Sequence, residues 1–248
     1  MRSRFIALAA LGLLVAPSVV EAGPIYFSTL SAGTVTNLGT GAVAIPGAHV
    51  TAQALKQNRT SGVWGPSTLI ARNETDDHGL GVCSEGLANC NIGSTGGGDR
   101  NELSQLTTEE AILLSLEPGW NWSELWVSSL DSGDGAAGAV GQDGNEAGRV
   151  FWGNSSTITA LLGGPSFGFQ HSDFGGLEEG NILALSAAGA FDMTSRYVLF
   201  RPDGVLGANN DYLVYGAAVT PVPEPGTLTL VALGLAAAWR GARRRPTA

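Results

Sequence analysis

The sequence predicts an all-β fold, a β-sandwich ectodomain followed by a short single C-terminal transmembrane helix. Three observations lead there. Glycine supplies 36 of 248 residues, about twice its usual share, and Gly, Ser, Thr and Asn fill the gaps between short apolar runs. Those runs are too short and too regularly interrupted for a helical bundle, and suit strands joined by turns. Lastly, Thr227 to Trp239 carries no charge and is bounded by Glu224 and Arg240.

The expected strands follow in order. Ile25 to Leu30 opens the domain. His49 to Lys56 alternates, with Val50, Ala52 and Ala54 on one face and Thr51, Gln53 and Leu55 on the other. Ser67 to Arg72 comes next. Ala111 to Leu116 places Ile112, Leu114 and Leu116 on one face, although Thr107-Thr108-Glu109-Glu110 before it also fits a helix capping box; a strand is the expectation. Glu124 to Leu130, Arg149 to Trp152, Ser156 to Leu162, Ile182 to Ala187, Tyr197 to Arg201 and Asp211 to Val219 complete the set. Asp131 to Gly148 reads as a flexible, solvated, acidic loop. Pro221 to Pro225 holds three prolines in five residues, a stiff spacer.

Both ends read as addresses. Arg2 and Arg4 precede the apolar stretch Phe5 to Ala16, and Val20-Glu21-Ala22 sets up cleavage by signal peptidase between Ala22 and Gly23. At the other end, Thr227 to Trp239 as a helix reaches only ~20 Å at 1.5 Å per residue, short of the ~30 Å hydrocarbon core. Arg240, Arg243, Arg244 and Arg245 place its far side in the cytoplasm. The expected organisation is a signal peptide over 1–22, an exported domain over 23–220 and a sorting segment over 221–248.

The tail VPEPGTLTLVALGLAAAWRGARRR resembles the PEP-CTERM sorting signal of Gram-negative bacteria. Pro223-Glu224-Pro225 matches its signature tripeptide, Thr227 to Trp239 its transmembrane segment, and Arg240 to Arg245 its basic tail. The resemblance implies recognition by an exosortase, a membrane-embedded cysteine transpeptidase. It also implies transient anchoring in the inner membrane and transit to the cell surface or the extracellular polysaccharide matrix. A looser likeness joins GLGVC (Gly79 to Cys83), NEL (Asn101 to Leu103), EAILLSL and LWVSSLD to ectodomains often fused to such tails. It implies a jelly-roll-like sandwich and departs from the pattern in its two cysteines.

Charge narrows the partners. Between residues 23 and 220 stand seven Lys and Arg against 20 Asp and Glu, a net charge near −13. Such a surface repels nucleic acid and anionic lipid, and Ca²⁺ is the cation it could attract outside a cell. The spacing of Asp131, Asp134, Asp143 and Glu146 matches no EF-hand loop, so no metal or other cofactor is assigned. Cys83 and Cys90 are the only cysteines. An exported location permits a disulfide between them, with free thiols and a metal site as alternatives.

No catalytic constellation emerges. Gly164-Pro165-Ser166-Phe167-Gly168 satisfies G-x-S-x-G, but Pro165 precedes the serine and no histidine follows Asp173; the Ser, Asp, His order of an α/β-hydrolase fails, and a turn-rich loop is expected. His49, His78 and His171 are too scattered for a metal site, and Asp76-Asp77-His78 reads as a polar turn. Trp64, Trp120, Trp122, Trp126 and Trp152 are available as a sugar-stacking platform or as core. The expected function is a non-enzymatic structural or adhesive role in the matrix, as in biofilm. The alternatives are a carbohydrate-binding module, with or without Ca²⁺, and a secreted glycan hydrolase.

Overall fold

A computed structural model describes residues 24–31, 35–73, 78–86, 90, 102–105, 108–130, 146–170, 183–184, 191–204, 211–222, 226, 232–237 and 239–240. Ala22–Thr220 is one compact unit, to which the two chain ends do not belong. Its strands are β1 (Ile25–Tyr26), β2 (Val35–Gly39), β3 (Val43–Ile45), β4 (Val50–Gln57), β5 (Trp64–Pro66), β6 (Thr68–Asn73) and β7 (His78–Cys83). They continue as β8 (Glu110–Leu116), β9 (Trp120–Ser128), β10 (Ala147–Gly153), β11 (Ser166–Gln170), β12 (Leu183–Ala184), β13 (Tyr197–Pro202) and β14 (Leu213–Pro221). A 3-10 turn spans Phe27–Leu30, and one short helix, α1, spans Ile158–Leu162.

Two antiparallel sheets form. The first runs β12-β9-β14-β7-β6-β2, with β1 also on β14. The second runs β11-β10-β13-β8-β4-β3, with β5 also on β4. Their inner faces share one core, in which Leu69, Leu80, Val82, Leu125, Val127 and Val214 meet Val50, Ala52, Ile112, Leu114, Val150, Val198 and Phe200. Period-two alternation explains this placement, since every second side chain of a strand points to the same face. On β4, Val50, Ala52 and Ala54 are buried as expected.

The strand over Ala111 to Leu116 is present and buried on both faces. Ile112, Leu114 and Leu116 join the inter-sheet core, while Ala111 and Leu113 pack outward with Leu55, Phe151, Leu161 and Leu199. This second cluster explains the main departure from expectation. Ser156 to Leu162 contains α1 rather than a strand, because Leu161 caps the outer face of the second sheet beside Phe151 and Leu199. Gly163 and Gly164 end the helix. Four smaller corrections follow. Ile25 to Leu30 is two strand residues and then a 3-10 turn that buries Phe27. Ser166 begins strand β11, paired with Phe151, rather than a turn-rich loop. His78 likewise opens β7, while residues 76–77 lie outside the described ones. Ala147 and Gly148 belong to β10, and Glu146 is buried, so the acidic loop stops short of them. Asp131, Asp134 and Asp143 lie outside the described residues, as does most of Ile182 to Ala187.

The first sheet contains a splice. β7 and β14 share a single register pair, Val214↔Leu80. Beyond it, Leu103 bridges to Tyr212, its N–H donating to Tyr212 O at 2.9 Å, while Val82 N–H donates to Glu102 O at 3.3 Å. Two residues from the loop after β7 thus complete hydrogen bonds that two diverging strands would leave unmade.

Tyr212 reaches across the core to an edge-on contact with Phe169 of β11 at 5.3 Å. The two rings lie over Gly148, where an added Cβ would stand 2.7 Å from Tyr212 Cε1 and nearer still to the Phe169 ring. Gly148→Ala should therefore destabilise the domain by about 1–3 kcal/mol, the usual cost of overpacking a rigid site. A lowered urea midpoint checks it.

Candidate functional site

The sorting segment is described in part. Residues 232–237 and 239–240 are helical and exposed, with Leu233, Leu235 and Trp239 each more than half exposed. Arg240 is among them. Pro223, Glu224, Pro225, Arg243, Arg244 and Arg245 lie outside the described residues, as do Ala22 and Gly23. Among the described residues no helix is long and apolar enough to cross a membrane.

Cys83 and Cys90 form a disulfide, with Cα atoms 5.8 Å apart. They bury against Val35 and Ile70. Leu69 and Ala71, the chain neighbours of Ile70, face the inter-sheet core, so this cluster sits on the outer face of the first sheet. The disulfide therefore covers apolar surface there. Among the described residues no group of three or more His, Cys, Asp or Glu is placed to hold a metal ion.

The five tryptophans between residues 23 and 220 do not make one platform. Trp122 and Trp152 are buried, the former donating its indole N–H to Ser195 O at 2.7 Å. Trp120 stacks on His49 at 3.8 Å, and His49 Nδ1 meets Glu117 Oε2 at 2.9 Å. Trp64 borders an open cavity with Lys56, Asn58, Ser61 and Val63 on the β4–β5 hairpin. Trp126 joins a group of tyrosine rings on the outer face of the first sheet. Tyr26 of β1 lies 6.1 Å from Trp126 and 5.1 Å from Tyr215 of β14, tilted by 49° and 48°. His78 meets Tyr215 edge-on at 6.4 Å.

Strand parity and one glycine produce this row. Leu125 and Val127 face the core, so Trp126 faces out. Val214 and Ala217 both face the core, which leaves Tyr215 and Gly216 together on the outer side. Gly216 pairs with Tyr26. A Cβ there would stand 2.7 Å from Ile25 O and 3.4 Å from Trp126 Cε3, so the missing side chain lets the indole lie close to the backbone. Burial, then the neighbouring Tyr26, raises the Tyr215 phenol above its ordinary range and keeps it a neutral hydroxyl. The two tyrosines went unrecognised in the sequence because each is a lone aromatic in its own strand.

A buried polar cluster lies at the splice. Arg72 of β6 pairs with Glu102, both almost wholly buried. Glu110 accepts from Ser104 N–H at 2.9 Å, and desolvation raises its pKa to about 8 against the help of hydrogen bonds from Ser84 and Ser104. At the edge of the second sheet, Arg149 donates from Nε and Nη2 to Asp203 Oδ2 at 3.1 and 2.7 Å. Arg149 Nη1 lies 3.5 Å from Ser166 Oγ. His171 is outside the described residues.

A family model described as the PEP-CTERM protein-sorting motif matches residues 221–245. The class this defines is that of exported proteins processed at the membrane by an exosortase. The chain is one that carries its PEP-CTERM motif immediately after a two-sheet antiparallel β domain. No curated protein and no solved structure matches the chain.

Proposed function

We propose that the chain is a non-enzymatic structural or adhesive component of the cell surface or extracellular polysaccharide matrix. Residues 1–22 serve as the signal peptide, removed between Ala22 and Gly23 by signal peptidase. Residues 23–220 work outside the cell, and residues 221–248 hold the protein briefly in the inner membrane until an exosortase acts. The observation that carries this reading is the sorting motif directly following a compact β unit that ends at Thr220. The exposed apolar side chains of residues 233, 235 and 239 on helical backbone suit lipid better than water. A jelly-roll-like arrangement is supported by the chain path, which changes sheet at most connections from β7 to β14. No cofactor enters this reading.

Replacing Pro223-Glu224-Pro225 with three alanines tests it. The expected result is a precursor-sized protein retained in the inner membrane and absent from the surface and medium, read by fractionation and immunoblot. Unchanged size and release would overturn the sorting assignment. A second reading, extracellular carbohydrate binding, is favoured by the half-exposed row of Tyr26, Trp126 and Tyr215.

A further inference from the structure

The geometry points to the outer face of the first sheet, at Tyr26, Trp126 and Tyr215, as a binding site for a neutral polysaccharide chain. This rests on the second reading above and specifies its place and its ligand chemistry. Three aromatic rings follow one another across three strands, in steps of 6.1 and 5.1 Å. Each step is close to the length of one pyranose unit in a glycan. The axial C–H groups of a pyranose carry partial positive charge and stack on the electron-rich face of an aromatic ring. The tilts of 49° and 48° between neighbours suit a chain whose successive sugars turn relative to one another.

Polar groups stand where such a ligand would need them. The two phenols and the indole N–H supply donors and acceptors beside the apolar faces. His78 closes the row, with Nδ1 held at 3.1 Å from Asn73 Oδ1. Tyr26 is 39% exposed, so the row is open at its middle. Tyr and Trp lose little side-chain freedom on binding, which favours them as anchors.

Charge selects the occupant. The exported part carries a net charge near −13, and Glu124, two residues before Trp126, is exposed. An anionic polymer would meet like charge there, whereas a neutral glycan pays nothing to this field.

The test uses the full-length chain in a sugar-free detergent, run in native gels cast with dextran, laminarin, mannan or alginate. Retardation by at least one of the three neutral polymers, and not by alginate, is expected. Trp126→Ala and Tyr26→Ala should each weaken it about tenfold or more, as central anchors do. Val63→Ala, on the distant β4–β5 hairpin, should leave it unchanged. Near-ultraviolet circular dichroism reports folding, and Tyr26→Ala carries the test if Trp126→Ala fails to fold. No retardation of the parent chain by any neutral polymer overturns the carbohydrate reading itself. Retardation that survives both substitutions overturns this site alone. Equal retardation by alginate overturns the neutral ligand. Self-association that the substitutions abolish makes the row an interface between copies. Processing of the sorting tail is read separately by size and stays the same in every case.

Discussion

Glu102→Ala is expected to destabilise the exported domain by about 3–5 kcal/mol, the usual cost of removing one partner of a buried ion pair. Arg72 and Glu102 have side chains only 3% and 8% exposed, so water cannot replace the lost carboxylate. The guanidinium cannot escape by deprotonating either. A urea titration should show the midpoint fall with little change in slope. The double replacement Arg72→Met with Glu102→Leu should recover much of the loss, because it removes both charges instead of one. If Glu102→Ala costs less than about 1 kcal/mol, the level of an exposed pair, the pair is not what fastens residue 102 to the sheet.

The second large effect is a pH dependence set by Glu110. Burial is the main cause of its rise from 4.5 to about 8, so the folded state holds this proton more tightly than the unfolded chain does. Its contribution to stability is therefore complete below about pH 4.5 and is lost as pH rises through about 8. The slope in that window is roughly 1.4 kcal/mol per pH unit for one proton. Glu110→Gln keeps an acceptor for Ser104 N–H and removes the ionisation. It should flatten the profile and leave the variant more stable than the parent by a few kcal/mol at pH 9. Lys56, paired with Glu110 in register and bonded to Ser84 O at 3.0 Å, and Glu85 are the charged neighbours to hold constant. Parallel profiles for parent and variant would show that Glu110 ionises freely in the folded protein.

Most strands that cross the middle of the sheets were legible because burial on one face imposes a period of two; β7, buried and glycine-broken, was not among those expected. β4 and β8 show this most clearly, and even the capping-box ambiguity before β8 resolves once Glu110 is seen as a buried strand residue rather than a helix-starting one. Three short outer strands were not legible. β2, β3 and β5 are short and half-exposed, so their sequences lack a consistent apolar face. α1 was misread because ITALL is as apolar and β-branched as a strand, and only the outer apolar face of the second sheet decides otherwise. The sorting tripeptide, the basic tail and the cysteine pair are contiguous or nearly so, and a local pattern is enough to find them. The aromatic row draws one residue from each of three strands far apart in the chain. No local pattern encodes it, and the abundance of tryptophan pointed instead to residues that the fold buries or separates.

The place of β14 has a consequence for timing. Among the described residues it is the last strand and ends at Pro221, yet it lies between β9 and β7 in the interior of its sheet. A chain threaded outward from its N-terminus delivers this strand last, so the first sheet stays in two halves until then. On the export route proposed above, assembly of the first sheet waits for the residues beside the sorting motif. A hold at the membrane would then give the final strand time to slot into place.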